Sequence, residues 1–414
     1  MCRGAPLCAP FRIKIFSQER ADTGVCPYKF CDNLSIIRAN CIFSLKSRKM
    51  REQFTLSARR KTISVKVGQV GIGSEHPVAV QSMTNSDTRD PAATLAQIRR
   101  LAEAGCEVVR VAVPDKAAAG ALPEIVRESP LPVVADIHFN YRLALAALEA
   151  GVAKLRINPG NIGGAEHVRA LAEAAGSRGV PIRVGVNSGS LEKELLERFG
   201  GSTPEALCES ALGHCRLLED AGFTDIVVSL KASDVPTTVR ANRLFAARTR
   251  YPLHLGVTEA GTRSRGTVLS SVGIGILLAE GIGDTLRVSL TADPEDEITV
   301  AYQILSSLGV RSRGAEIISC PSCGRTEVDL IGMAEKVEKL LRKVELPIKV
   351  AVMGCVVNGP GEAREADFGI AAGKGNGIVF RRGEPVCRVK ERELIPRLLA
   401  LISEETGITV PLGD

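Results

Sequence analysis

The sequence predicts a (β/α)8 TIM barrel followed by a small α/β domain. Eight short β-branched segments recur along the chain, amphipathic segments separate them, and the pattern changes after residue 312. The eight units cover about 230 residues, which is the usual size of one such barrel. A doubly wound parallel sheet is the alternative, but it rarely contains eight units of this regularity.

The strands and helices of the barrel follow from two different spacings of apolar residues. Strands are predicted at residues 78–82, 108–113, 133–137, 154–157, 182–186, 226–229, 253–257 and 285–288. Helices, several of which begin near Pro or Asp and end near Gly, are predicted at residues 91–104, 141–150, 165–175, 204–221 and 294–308. We therefore expect a barrel domain at 60–312.

A second domain is expected at 313–414, after a short basic hinge at 310–315. Its pattern predicts strands at 317–319, 348–353, 368–371 and 377–380, and helices at 327–344 and 391–406. The glycine-rich segment 373–377 fits a hairpin turn better than a phosphate-binding loop. The second domain is thus a small α/β unit.

The first part of the chain differs from the rest in charge. Residues 1–60 contain 12 Lys and Arg against 4 Asp and Glu, a net charge of +8, so the rest of the chain is at −2 and the whole chain at +6. Five of the 12 cysteines also lie there, without the apolar segment of a secretory signal. Two interpretations stay open: a basic targeting segment, or translated upstream sequence before a true start at Met50. In either case we expect a poorly ordered extension at 1–59 whose cysteines are not ligands.

Composition argues against two classes of partner. Hydrophobic residues make up 45% of the chain, which is enough for buried cores, but no apolar run approaches the roughly 20 residues that span a bilayer. The chain has no Trp and only 4% aromatic residues, so stacking platforms for single-stranded nucleic acid are not expected. We expect a cytoplasmic protein that binds neither a membrane nor nucleic acid.

Cationic residues occur at the predicted carboxyl ends of the barrel strands, where TIM-barrel active sites lie. They are Arg110, Arg156, Arg183, Lys231 and Arg287. Five cations in one barrel mouth would be unfavourable without an anionic ligand, and the simplest such ligand is a phosphate or diphosphate ester. Asn187 and Ser289 add neutral hydrogen-bond donors. The alternative is that some of these cations pair with Asp136, Glu259 or Asp284 and only close the barrel.

Two further side chains at the mouth are candidates for acid and base chemistry. His138 alone is weak support, but at a strand end it is a plausible hydrogen-bond donor or proton carrier. Glu259 among these cations stays ionised, so it can act as an acid or base or orient a substrate hydroxyl.

Three cysteines in the second domain indicate a metal site. Cys320 and Cys323 lie two residues apart, and Cys355 lies in a separate glycine-rich turn followed by Glu362. A thiolate-rich site binds zinc or iron and sulfur. A zinc site would need a fourth Cys or His, yet Cys387 is the only later cysteine and no His follows residue 254. Both metals stay open on these residues alone, although Glu362 as a fourth ligand suits iron better.

Ten motifs occur in a specific order between about residues 60 and 380. They are AVQSMTN, VRVAVP, ADIHF, LRINPGNIG, RVGVNSGSLEK, SLKASD, LGVTEAG, EGIGDTLRVSL, CPSCGR and MGCVVNGPGEA. Together they resemble the 4-hydroxy-3-methylbut-2-enyl diphosphate synthase family of the non-mevalonate isoprenoid pathway. The resemblance is highly specific because it covers both predicted domains.

This resemblance implies a barrel like that of the pterin synthases and a C-terminal domain with a 4Fe-4S cluster. Cys320, Cys323, Cys355 and Glu362 would be its ligands. It also implies a head-to-tail homodimer in which the cluster domain of one subunit caps the barrel of the other. The segment between Ser289 and Cys320 leaves no room for the extra domain of plant and apicomplexan members, so the bacterial two-domain type fits.

The implied reaction is the reductive ring opening of 2-C-methyl-D-erythritol 2,4-cyclodiphosphate to 4-hydroxy-3-methylbut-2-enyl diphosphate, with two electrons and loss of water. A flavodoxin or ferredoxin would supply the electrons. Catalytic roles would fall to Glu362, Glu259 and His138. The substrate-binding residues would be the five cations, His138, Asn187 and Ser289, together with Asp136, Thr258 and Asn358.

Overall fold

The structure is a computed structural model that describes residues 56–342, 344–355 and 363–410. The predicted extension therefore lies outside the described residues as far as residue 55. From Ser57 onward the backbone bonds to the barrel: the Ser57 amide donates to the Ala279 carbonyl at 2.9 Å, and the Arg60 amide to the Gly281 carbonyl at 2.8 Å. The chain thus contacts the barrel slightly before the residue 60 at which the barrel domain is predicted to begin.

Eight parallel strands form a barrel, preceded by a short antiparallel hairpin. The hairpin consists of β1 (Val65–Val67) and β2 (Val70–Ile72), and the barrel of β3 (Ala79–Met83), β4 (Val108–Ala112), β5 (Val133–Asp136), β6 (Lys154–Ile157), β7 (Ile182–Asn187), β8 (Ile226–Lys231), β9 (His254–Leu255) and β10 (Thr285–Leu286). The strand order is β8-β7-β6-β5-β4-β3-β10-β9, and a parallel bridge between Val228 and Leu253 joins the two ends of the sheet. The predicted TIM barrel is confirmed.

Helices separate the strands of the barrel. They are α1 (Pro91–Ala104), α2 (Lys116–Glu128), α3 (Tyr141–Glu149), α4 (Ala165–Ser177), α5 (Lys193–Phe199), α6 (Pro204–Glu219), α7 (Val235–Ala246), α8 (Arg263–Ala279) and α9 (Pro294–Ser307). Several begin as the sequence predicts: Asp90 caps α1 through the amide of Ala93, and Thr203 caps α6 through the amide of Ala206. The predicted bounds of α1 and β6 are those observed.

The hairpin closes the end of the barrel opposite to the mouth. Val67 and Ile72 are fully buried in a small apolar cluster with Val108 and Val134, which lie near the amino ends of β4 and β5. Asp284 lies at the same closed end, because its carboxylate accepts hydrogen bonds from Thr62 and from the Leu253 amide and pairs with Arg59 at 3.1 Å. The suggestion that Asp284 pairs with the mouth arginines is therefore wrong.

The described residues of the second domain form a mixed five-stranded sheet with two helices. Its elements are β11 (Glu316–Ser319), α10 (Leu330–Leu341), β12 (Lys349–Met353), β13 (Phe368–Gly373), β14 (Asn376–Arg381), β15 (Glu384–Lys390) and α11 (Leu394–Thr406). The strands β11, β12 and β13 are parallel, whereas β14 is antiparallel to both β13 and β15. Residues of both helices share one apolar cluster with one face of the sheet. The segment predicted as a hairpin turn joins β13 to β14.

Charged residues fix the connection between barrel and second domain. Arg311 donates two hydrogen bonds to Glu107, at 2.7 and 2.8 Å, and Arg313 pairs with Glu345 at 2.7 Å. The basic hinge predicted at 310–315 is thus attached on both sides. None of the described helices is long and apolar enough to cross a membrane.

Candidate active site at the barrel mouth and the cysteine edge

Asp136 is the central carboxylate of the barrel mouth. It lies at the carboxyl end of β5, where its Oδ1 accepts from Arg156 Nη1 at 3.0 Å and its Oδ2 lies 3.6 Å from Arg110 Nε. Burial by itself raises the pKa of Asp136, but Arg110, a hydrogen bond from His138, Arg156 and Arg183 together lower it far below its usual range. One ionised carboxylate is therefore shared by several cations, and positive charge is left over.

Arg287 has a different partner, which the sequence did not reveal. Glu297 of α9 is 2% exposed and accepts two hydrogen bonds from Arg287, both at 3.0 Å. The same carboxylate also accepts from the Ser82 hydroxyl at 2.8 Å and from the Leu290 amide at 3.1 Å. Glu297 thus fixes Arg287 from behind, and the guanidinium is held in place before any ligand binds.

Arg183 and Lys231 are buried among other cations. Arg183 is 1% exposed, and its Nε and Nη1 have no hydrogen-bond partner among the described residues. Burial and the charges of Arg110 and Arg156 lower its pKa. Burial, followed by Arg183 and Arg110, likewise lowers the pKa of Lys231 well below its usual value. Buried cations without matched carboxylates are unfavourable, so this arrangement fits a protein that neutralises them with a bound anion.

Two glycines leave room for these long side chains. A Cβ on Gly185 would lie 2.6 Å from Arg156 Nε, and a Cβ on Gly256 would lie 2.6 Å from Lys231 Nζ and 2.7 Å from the Arg287 carbonyl oxygen. Each glycine occupies a strand or strand end next to the cation that it accommodates. Any larger residue would displace that cation, which explains why the sequence has Gly at both positions.

A second polar layer lies deeper in the barrel, and sequence reasoning missed it. Lys154 is fully buried on β6, two residues before Arg156 and so on the same face, with its Nζ 3.5 Å from Gln81 Oε1. His254 is also fully buried, and neither ring nitrogen has a partner within the described part of the chain. Burial, together with Arg183, lowers the pKa of both Lys154 and His254. The alternation of side chains along a strand could have indicated Lys154.

The predicted acid and base candidates lie at the same mouth. His138 is about half exposed, and its Nε2 lies 3.1 Å from Arg156 Nη1 and 3.7 Å from Asp136 Oδ1. Glu259 is exposed and has φ of +54°, a left-handed conformation that a non-glycine residue rarely adopts. Thr258 precedes it and donates its amide to the Ala232 carbonyl at 3.1 Å. Strained backbone of this kind is often found at functional sites. The alternative that Glu259 pairs with a mouth arginine gains no support, because the described residues contain no such ion pair, and the carboxylate partners of these arginines there are Asp136 and Glu297.

The neutral candidates also end strands of the barrel or follow them. Asn187 is the last residue of β7, and its register partner on β8 is Lys231. Ser289 follows β10 two residues after Arg287, and both side chains are partly exposed. Residues two apart on an extended chain point the same way, so Ser289 lies on the side of the chain that carries Arg287.

The cysteine site lies at the carboxyl ends of β11 and β12. Cys320 follows Ser319 directly, and Cys355 comes two residues after Met353. The Gly354 amide donates to Cys320 Sγ at 3.3 Å, so the segment leading to Cys355 contacts the first thiol. The predicted Glu362 and Asn358 lie outside the described residues.

The cysteines at this edge differ from those of the barrel in exposure and in the pKa of the thiol. Cys320 and Cys355 are partly exposed and Cys323 is exposed, and hydrogen bonds from the backbone and side chain of Arg325 lower the pKa of Cys323. Burial instead raises the pKa of Cys106 to about 12 and that of Cys208 to about 11. The exposure and lowered pKa of Cys323 suit metal binding, whereas the buried thiols of the barrel are structural. Across residues 56–342, 344–355 and 363–410, no three His, Cys, Asp or Glu side chains are grouped closely enough to hold one metal ion.

The fold is that of a TIM-barrel protein, and the buried cations at its mouth are typical of barrels that bind an anionic ester there. The chain matches the GcpE TIM-barrel domain over residues 62–302 and the GcpE protein C-terminal domain over residues 316–404. It belongs to the GcpE family of enzymes, whose known reaction is the reductive conversion of 2-C-methyl-D-erythritol 2,4-cyclodiphosphate in isoprenoid biosynthesis.

Relatives of high identity agree with this assignment. The 4-hydroxy-3-methylbut-2-en-1-yl diphosphate synthase (flavodoxin) of Geobacter sulfurreducens is 58% identical over 346 residues, which cover 84% of this chain and 98% of the relative. The enzyme of the same name from Maridesulfovibrio salexigens is 60% identical over 342 residues, which cover 82% of this chain and 96% of the relative. The match covers both the barrel and the cysteine-bearing domain.

Solved structures resemble the barrel only remotely. The dihydropteroate synthase of Xanthomonas albilineans is 15% identical with a TM-score of 0.41, and the alignment covers 59% of this chain and 99% of that one. Type I 3-dehydroquinate dehydratase from Clostridium difficile is 11% identical with a TM-score of 0.45, and the alignment covers 60% of this chain and 98% of that one. The barrel assignment rests on the strand order of this chain and on the family match.

Proposed function

We propose that the barrel mouth binds 2-C-methyl-D-erythritol 2,4-cyclodiphosphate and that this chain opens its ring reductively to 4-hydroxy-3-methylbut-2-enyl diphosphate. The observation that carries the proposal is the excess of buried positive charge: Arg183 and Lys231 lie among other cations, and Arg183 has unpartnered nitrogens within the described residues. A diphosphate supplies the missing negative charge.

The five cations divide into two kinds. Arg110, Arg156 and Arg287 are already oriented by Asp136 and Glu297, so they present fixed donors to phosphate oxygens. Arg183 and Lys231 are free to bond with the ligand itself. Because the donors are in place beforehand, little side-chain entropy is lost on binding.

The neutral residues and Asp136 orient the rest of the substrate. Asn187, Thr258 and Ser289 offer neutral hydrogen bonds around the cations, and Asp136 accepts from substrate hydroxyl groups or keeps Arg110 and Arg156 in place. Ring opening at a C–O bond leaves that oxygen on the diphosphate, and the water that is lost comes from a substrate hydroxyl group, which needs a proton in order to leave. His138 Nε2 and the Glu259 carboxylate are the groups at the mouth that can hold and deliver that proton.

The second domain holds a 4Fe-4S cluster in this proposal, with Cys320, Cys323, Cys355 and Glu362 as ligands. The donor set fits, because these three thiols are accessible at one sheet edge and the pKa of Cys323 is lowered. The three thiols and Glu362 would hold the cluster as a group larger than a single ion, so the thiols need not converge on one point. The bound cluster supplies electrons one at a time and an iron that accepts oxygen ligands. Asn358 lies between Cys355 and Glu362 in the sequence, and we propose it as a substrate-binding residue.

The domain bounds 60–312 for substrate binding and 313–414 for the cluster are part of the proposal, as is a homodimer. The cluster domain of one subunit would cap the barrel of the other, which would exclude water from the mouth. The exposed Cys323 supports this, since a catalytic sulfur edge needs a covering surface. The names of the relatives give flavodoxin as their electron donor, and we propose a flavodoxin or a ferredoxin for this chain.

Anaerobic purification tests the cluster assignment directly. We expect a brown protein that absorbs near 400 nm and contains about four iron and four sulfide per chain, as a 4Fe-4S cluster requires. Cys323→Ser should lose most of the iron, whereas Cys387→Ser, outside the motif, should keep it. A colourless protein with one zinc per chain would contradict the proposal.

A further inference from the structure

A groove with a basic rim lies between helices α10 and α11 of the second domain. It has a volume of about 630 Å³. Its lining consists of Met333 and Lys336 of α10, Gly375 of the β13–β14 turn, Lys390 at the end of β15, Glu391 and Arg392 after that strand, and Ile395 and Pro396 of α11. The groove is distinct from the barrel mouth and has no role in the substrate chemistry described above.

The groove lies at the same edge of the sheet as the cysteines. Strands β11, β12, β13 and β15 all end at this edge, because β14 is antiparallel to its neighbours. Met353 is in register with Ala371, and Gly373 is in register with Asn376, which pairs with Lys390. Cys355 follows Met353 by two residues and is therefore level with Lys390, three strand spacings away, or about 14 Å.

Hydrogen bonds join the groove to the cysteine segment. The Lys374 amide donates to Glu327 Oε2 at 2.9 Å, and Glu327 follows Cys323 by four residues. On the other side, the Glu391 amide donates to the Gly375 carbonyl at 3.3 Å. The β13–β14 turn is thus hydrogen-bonded to the cysteine segment on one side and to the basic rim of the groove on the other.

The chemistry of the groove fits a protein with an acidic surface. Lys336, Lys390 and Arg392 are exposed on its rim, whereas the lining includes one carboxylate, Glu391, and the neighbouring Glu393 lies 3.7 Å from Arg392 Nε. Met333 and Ile395 are partly buried and supply an apolar floor. The first turn of α11 borders the groove and adds positive potential. An apolar centre with a charged rim is the usual composition of a transient protein interface.

We propose that this groove is the docking surface for an acidic one-electron donor protein of the flavodoxin kind. The inference rests on the proposed function, because it assumes that electrons enter at the cysteine edge. A donor seated here places its redox group beside β13 to β15, close to the thiols. Basic residues on the rim steer the acidic partner into this orientation, so association weakens as ionic strength rises.

The test is the triple variant Lys336→Glu, Lys390→Glu, Arg392→Glu, assayed with two reductants. With reduced flavodoxin as donor, we expect kcat/KM to fall at least tenfold and its salt dependence to vanish. With dithionite and methyl viologen as donor, turnover of the cyclic diphosphate should stay within twofold of wild type, since the substrate site and the sulfur ligands are unchanged.

A matched control reverses three exposed arginines on barrel helices: Arg99→Glu, Arg169→Glu, Arg216→Glu. It makes the same change in net charge, and flavodoxin-driven turnover should remain near that of wild type. Equal losses in both triple variants, or no loss in the first, would overturn the proposal. So would a change in oligomeric state confined to the first variant, because the groove would then be a subunit contact. If wild type itself fails with dithionite, the proposed function fails instead.

Discussion

Asp136 and Arg156 form the ion pair at the centre of the barrel mouth, with Oδ1 and Nη1 3.0 Å apart and only 6% of each side chain exposed. The same carboxylate faces Arg110, and the same guanidinium contacts His138. One buried anion therefore orients a group of cations whose total charge it does not balance. The residual positive charge makes the mouth depend on a bound anion.

Asp136→Asn should lower the free energy of unfolding at pH 7 by about 3 kcal/mol, because it leaves buried guanidiniums without their carboxylate. The pKa of Asp136 is depressed in the folded state, so its stabilising contribution is present above about pH 4 and is lost as pH falls toward the folded value. Urea unfolding of both proteins at pH 7, 5 and 3.5 measures this. The gap between them should narrow only at the lowest pH, and a gap that is constant with pH would contradict the assignment.

Substrate binding should take up protons at Lys231. Burial and the neighbouring arginines lower the pKa of Lys231 in the free protein, and the diphosphate raises it again. Affinity should therefore fall as pH rises from the pKa of the free protein to that of the complex. Calorimetric titrations at one pH in two buffers of different ionisation enthalpy give the number of protons taken up. Lys231→Met should reduce this number, and any remainder reports on Lys154 and His254. No uptake by wild type would contradict the prediction.

Gly185→Ala should displace Arg156 from Asp136, because the added Cβ would lie 2.6 Å from Arg156 Nε and 2.9 Å from its Nη2. Loss of one charged hydrogen bond to the substrate corresponds to an increase in KM of about tenfold or more. Steady-state kinetics with the cyclic diphosphate measure it. Gly213→Ala is the control, since nothing lies within 4 Å of its Cβ and alanine favours the helix. Equal KM values for the two variants would refute the close-contact argument.

Glu297→Gln should weaken substrate binding although Glu297 itself touches no substrate. The variant loses the charge that holds Arg287 through two hydrogen bonds, so Arg287 becomes mobile and KM should rise more than kcat falls. Stability should also fall by about 1–3 kcal/mol. Glu295→Gln on the same helix is the control, because Glu295 pairs with the exposed Arg100. A wild-type KM for Glu297→Gln would show that Arg287 needs no such support.

The sequence was sufficient to predict the barrel and its cationic mouth, because strand ends follow directly from the apolar pattern. Several helices of the barrel could not be predicted from the sequence. Within α8, Gly266, Gly273 and Gly275 interrupt the helical signal, yet the first two allow close packing: a Cβ there would lie 2.6 Å from Leu290 or 2.9 Å from Val257. Helix α2 contains Pro123. Tertiary packing outweighs local propensity in both helices.

The partners of the charges could not be predicted in the same way. Arg287 and Glu297 meet only because α9 packs against β3, and Asp284 pairs with Arg59 at the closed end of the barrel. Such pairs depend on the three-dimensional path of the chain and not on spacing. Lys154 was predictable in principle, since it shares a face with Arg156. The placing of the cysteines at one sheet edge followed from the predicted strands, because Cys320 and Cys355 come just after β11 and β12, which are parallel neighbours.

The central claim is that the buried positive charge of the mouth exists to bind a cyclic diphosphate, and Arg183→Met tests it most directly. Removing an unmatched buried charge should leave Tm unchanged or raise it, by about 2–4 °C for each kcal/mol added to the free energy of unfolding. The dissociation constant for 2-C-methyl-D-erythritol 2,4-cyclodiphosphate, measured by calorimetry, should rise about 100-fold, whereas the exposed control Arg169→Met should bind as wild type does. Wild-type affinity in Arg183→Met, with the fold intact, would contradict the account.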